Sequence, residues 1–227
     1  MNAIQFATLT LACAVFSSGA MAQGSLDNPS FTEVGTLSDL SKAAGKALVS
    51  AKNIVAEDAA QGSALSGMAA GGTVAPVLGT PKRDFFIRLD QLRAYQGGST
   101  EGLLTDSKQV YYPVYVGNRP TSTITMVQGK AGWEMTSVGE TELTQRRQDA
   151  IGKSAKRFAR KESDHFIVRI PSLSIEFSAF RNRSGELQLA SVVDNEKYGL
   201  TAGEAEDAKA VISRIVPHAR EFKELRN

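Results

Sequence analysis

The chain has 227 residues, 42% of them apolar, with 26 basic and 24 acidic side chains and a net charge of +2. Near-neutrality excludes a whole-molecule attraction to nucleic acid, and a single cysteine excludes a disulfide framework or a thiolate-rich metal site. His165 and His218 are the only histidines available as neutral-pH bases.

Residues 1–22 hold no charged side chain. An apolar run from Ala3 to Phe16 leads through Ser17, Ser18 and Gly19 to Ala20-Met21-Ala22, the layout of a secretory signal cleaved after Ala22. Cys13 offers an alternative, a lipid anchor, although Thr10 stands where a lipoprotein box wants Leu. From Gln23 onward the chain has no cysteine, which favours a periplasmic or secreted protein of a bacterial envelope. No later run approaches the roughly 18 apolar residues that a membrane helix needs.

Residues 23–81 read as an N-terminal arm. Thr36 and Asp39 have capping-box spacing, and Leu37, Leu40, Ala44, Ala47, Leu48, Ala51 and Val55 follow at helical period, predicting a helix over 37–57. Its alanine-rich stripe buries little, so the helix needs a surface to dock on. Residues 59–80 then mix Gly62, Gly67, Gly71, Gly72 and Gly79 with small side chains, the composition of a flexible linker.

The body spans 82–227. Phe85, Ile87 and Leu89 alternate with Phe86, Arg88 and Asp90 as a strand, while Phe85, Leu89 and Leu92 also fit a helix stopped by Gly97. Val110, Tyr112, Val114 and Val116 form a clearer strand, and Pro113 within it predicts either a sheet edge or a bulge. The turn at Gly117-Asn118-Arg119-Pro120, the β-branched run 121–127 and the stretch holding Ala131, Trp133 and Met135 complete a meander. A helix over 141–161, strands at 166–170 and 174–180, a turn at 182–185 and a strand over 187–193 follow. Thr201 and Glu204 predict the start of a last helix, whose stripe of Ala208, Val211, Ile212, Ile215, Ala219 and Phe222 keeps phase across Pro217, with a kink expected there. The sum is α+β: an antiparallel sheet of meander and hairpin strands with helices packed against it, preceded by the helical arm. A loose echo of Phe86-Ile87-Arg88-Leu89 in 166–170, and of the 117–120 turn in Arg181-Asn182-Arg183-Ser184, hints at two related halves.

No catalytic, cofactor or metal motif accompanies this layout, and neither histidine has a ligand or carboxylate at a useful spacing. Two surface candidates remain. Arg146, Lys153, Lys156, Arg157 and Arg160 gather on one side of the 141–161 helix, a face suited to anionic lipid or an acidic partner. Tyr111, Tyr112, Tyr115 and Trp133 cluster in the meander as an aromatic contact surface. The expectation is a non-enzymatic envelope module with no cofactor. It engages a protein partner through the sheet edge at Pro113 or the arm, with peripheral contact to anionic lipid as an adjunct. The alternative is a binder of an apolar or anionic small ligand or lipid in a cup between sheet and helices, and a third reading is a hydrolase whose site assembles from distant acidic residues and a histidine. The sequence carries no signal for an oligomeric state.

Overall fold

The computed structural model describes residues 37–60 and 75–223. The signal segment, Cys13, Thr36 and the glycine-rich stretch over 61–74 lie outside the described residues. The elements are α1 (Leu37–Ala60), β1 (Val77–Leu78), β2 (Lys82–Phe86), α2 (Leu89–Ala94), β3 (Thr105–Val116), β4 (Arg119–Gly129), β5 (Gly132–Gly139), α3 (Thr141–Phe158), β6 (Phe166–Ile170), β7 (Ile175–Arg181), β8 (Leu187–Ser191), β9 (Ala205–Asp207) and α4 (Ala208–Glu221). All nine strands form one sheet in the order β5-β4-β3-β2-β6-β7-β8-β9, with β1 added alongside β3. The predicted α+β class, meander and hairpin under helices, is the architecture observed.

The sheet joins two similar runs. Apart from α2, which lies between β2 and β3, the runs β2-β3-β4-β5-α3 and β6-β7-β8-β9-α4 repeat the same order of elements and meet where β2 pairs with β6 in parallel. The two echoed turns, at 117–120 and 181–184, fall at equivalent places, β3 to β4 and β7 to β8. In the second, the Asn182 side-chain carbonyl accepts from the backbone N–H groups of Ser184 and Glu186, while Gly185 takes a positive φ of 82°.

Alternation along the strands divides the sheet into two unlike faces. On one, Phe85, Phe166, Val168, Phe177 and Leu189 pack under the Val211, Ile212 and Ile215 side of α4 and the Leu89 and Leu92 side of α2. On the same face of the other half, Val110, Tyr112, Val114, Ile124 and Met126 meet Leu40, Ala44, Ala47 and Ala51 of α1. Helix α1 is therefore docked through its alanine stripe. The second face is polar at its centre and is crossed by α3.

Three sequence readings change. Pro113 lies inside the sheet, because β3 has β4 on one side and β2 and β1 on the other. The bulge is what the proline marks: the β3–β4 register shifts between Val114 and Tyr115. Pro113 O accepts from Gly79 N at 2.7 Å, so its missing N–H faces the side where β2 has ended and β1 begins, and the β4 ladder is untouched. Secondly, the last helix starts at Ala208 and not near Thr201. Asp207 caps it by accepting from Lys209 N and Ala210 N, while residues 205–207 add the short β9. Pro217 lies within the continuous helix. Thirdly, both readings of 85–97 hold in part, a strand to Phe86 and then the single-turn α2.

Candidate functional site

The charged residues that the fold draws together lie on the polar face, under α3. Arg147 stands in the middle of the apolar stripe of that helix, between Thr144, Ile151 and Ser154, so the helix must bury a guanidinium to dock. It is 4% exposed. Its Nε and Nη2 donate to the Glu176 carboxylate of β7 at 2.5 and 3.0 Å, and Nη1 donates to Glu140 at 2.8 Å. The guanidinium also stacks over the Tyr111 ring at 4.5 Å. Burial opposes its charge, but the Glu176 and Glu140 carboxylates outweigh burial and hold Arg147 firmly protonated. Arg169 of β6, 6.0 Å from the same ring, donates twice to the fully buried Asp84 of β2, at 2.8 and 2.5 Å. Tyr111 is within reach of both guanidinium groups, and burial, aided by Asp84, pushes its phenol well above the usual range. Every charge in this layer has an opposite partner, the condition under which buried ions are tolerated.

A second cluster lies at the far end of α3. His165 Nδ1 is 3.1 Å from the Lys161 carbonyl, which only accepts, so Nδ1 carries the proton. Nε2 is then left to accept from the Ser154 hydroxyl at 3.0 Å. A hydroxyl on an imidazole is the start of a nucleophile–base pair. Here both residues are sealed, 0% and 2% exposed, with the Phe180 ring against the imidazole, so no substrate atom reaches the hydroxyl. Burial lowers His165 to about 4, and its ring is neutral at physiological pH. Nearby, the buried Lys82 amine donates to the Glu162 carbonyl. Burial draws Lys82 down to about 8 against the pull of Glu162 and Asp164. This cluster is a closed structural network.

The predicted basic side of α3 is solvent-facing at Arg146, Lys153, Lys156 and Arg157, with Arg160 half-buried. Three of these cations are engaged locally. Arg146 pairs with Glu142, and Arg157 lies over Phe158 near the Glu206–Arg214 pair. The Lys153 stem packs on Gly203, where an added Cβ would come within 2.4 Å of it. The four aromatics do not share a surface. Tyr111 and Tyr115 face α3, Tyr115 donating to Gln148 at 2.9 Å, whereas Tyr112 and Trp133 belong to the cluster beneath α1. The sequence reading passed over Arg147, Asp84, Arg169 and Glu176. The available signal was a charged residue in the centre of an apolar helix stripe.

Two features are open to solvent on the α1 half. A groove of about 460 Å³ runs between α1 and the β4–β5 hairpin, with Met126, Trp133 and Met135 along its floor. Beside it, β5 is the outermost strand of the sheet among the described residues. Among the described residues no three metal-ligating side chains converge, and no helix is long and apolar enough to cross a membrane. Comparison with protein-family models, curated proteins and solved structures found no match.

Proposed function

We propose that this chain is an exported module of the bacterial envelope that works by contact, joining a protein partner along the outer edge of β5 and carrying out no reaction of its own. The observation that carries the reading is the contrast between the two ends of the sheet. β9, at one end, is three residues long and passes directly into α4. β5, at the other, is eight residues long, holds no Lys or Pro, and has Glu134 as its single charge. Edge strands are ordinarily protected by brevity, charge, proline or a bulge; β5 has one charge and one bulge, and the rest of its outer backbone is available to another chain. A bulge interrupts it: Thr125 pairs with Ser137 and Met126 with Met135, leaving Thr136 over. That interruption is itself an edge-blunting device, and it confines pairing to the short runs on either side of Thr136. Edge pairing at Pro113, inside the sheet, has no place in this proposal.

Export rests on the charge-free leader and its Ala20-Met21-Ala22 site, with cleavage before Gln23 and a Cys13 lipid anchor as the alternative. The anionic-membrane reading has less support, since local partners engage much of the basic side of α3.

The test is affinity capture from an envelope extract with the wild-type protein and with a Thr136→Lys/Ser137→Lys variant, both exposed positions. The expected result is a stoichiometric partner held by the wild type and lost by the variant, with thermal midpoint and far-UV spectrum unchanged. Equal recovery by both proteins overturns the edge reading, and an untrimmed amino terminus on cytosolic protein overturns the compartment.

A further inference from the structure

The groove between α1 and the β4–β5 hairpin has the chemistry of a small-ligand site. Its helix wall is low because Ala43 and Ala47 line it, small side chains that leave room above the floor where α1 passes over the hairpin. Its floor is thioether and indole, soft apolar surface that adapts to an aliphatic chain. Lys42 and Lys46, one turn apart, line the same groove; with Asp39 the charge there is +1, counting two cations against one carboxylate. The groove follows α1 from Lys42 to Ser50, about 12 Å at 1.5 Å per residue, a length suited to a medium aliphatic chain. Trp133 in the floor has a buried indole N–H with no acceptor among the described residues.

We propose that this groove binds a single-chain aliphatic carboxylate, its chain along Met126, Trp133 and Met135 and its carboxylate held by Lys42 and Lys46. The occupant is anionic because the groove is cationic, and single-chain because about 460 Å³ along one stretch of helix holds one aliphatic chain. This site does not depend on the β5 edge, so either reading stands if the other fails.

Trp133 is the only tryptophan, so its emission reports on the groove directly. Purified protein is titrated with sodium laurate below its micelle concentration, and in parallel with dodecyltrimethylammonium and with dodecyl maltoside. The expected result is a saturable one-to-one change with laurate alone. A Lys42→Glu/Lys46→Glu variant with wild-type thermal midpoint then shows affinity weaker by about tenfold or more. Equal binding of the three amphiphiles, or equal laurate affinity in the variant, overturns the proposal. An emission change that follows protein concentration assigns the groove to a second copy and overturns it. A response to phosphatidylglycerol vesicles without one to monomeric laurate assigns it to a bilayer surface and also overturns it.

Discussion

Arg147 shows how one residue shapes this molecule. A buried guanidinium is costly alone and is held here by two carboxylates and a ring face. Arg147→Met strands Glu176 in a largely buried position, and a loss of about 3–5 kcal/mol is expected in urea unfolding. Adding Glu176→Leu removes the unpaired charge, and the double variant recovers most of that loss. If it does not, stacking on Tyr111 is the main contribution. His165 gives a pH signature with a definite sign. Its folded pKa is depressed to about 4 from an ordinary 6.5, so the unfolded chain takes up the proton first. The stability it confers is present in full above about 6.5 and drains away as pH falls toward 4. Unfolding midpoints of wild type and His165→Asn, compared at pH 7 and pH 4.5, are expected to converge at the lower pH. A constant gap would falsify the assignment. Neither role was readable in sequence, because partners such as Arg147 and Glu176 are 29 positions apart and nothing local couples them.

Elements were more legible than sites. The strand at 166–170 and the start of α3 at Thr141 agree with the periodicity, because both depend on residues a few positions apart. The buried positions Leu40, Ala44, Ala47 and Ala51 of α1 lie on the predicted stripe for the same reason. The misses have physical causes. A capping-box pattern at Thr201 and Glu204 misplaced the last helix because a tight turn meets the same spacing, and the true cap, Asp207, follows a strand too short to show alternation. Pro113 misled in another way. A missing N–H is harmless at an edge, and equally so at the point where one neighbouring strand replaces another. The basic and aromatic sets were correct as lists of neighbours along the chain, yet strand alternation sends Tyr111 and Tyr112 to opposite faces of the sheet.

For the whole molecule the decisive contact is the parallel β2–β6 junction, where Asp84, Phe85 and Phe86 face Ile167, Val168 and Arg169. Everything else in the sheet is antiparallel and near in sequence, so this is where two runs become one fold. Amide exchange is expected to be slowest at Phe85 and Val168 and to quicken toward β5 and β9. Central-strand protection along the outward side of β5 would instead mean that the edge is already paired between copies in solution.

Composition, the leader pattern, the periods of helix and strand and the residues of the turns are short-range properties, and the chain states them wherever it is read. They carried the class of the fold and the expectation of export. Strand order, the face each side chain takes, the sealed ion pairs and the groove under α1 all arise from meetings between segments tens of residues apart. In those, one bulge or one parallel pairing reassigns many side chains at once, and folding alone makes the choice.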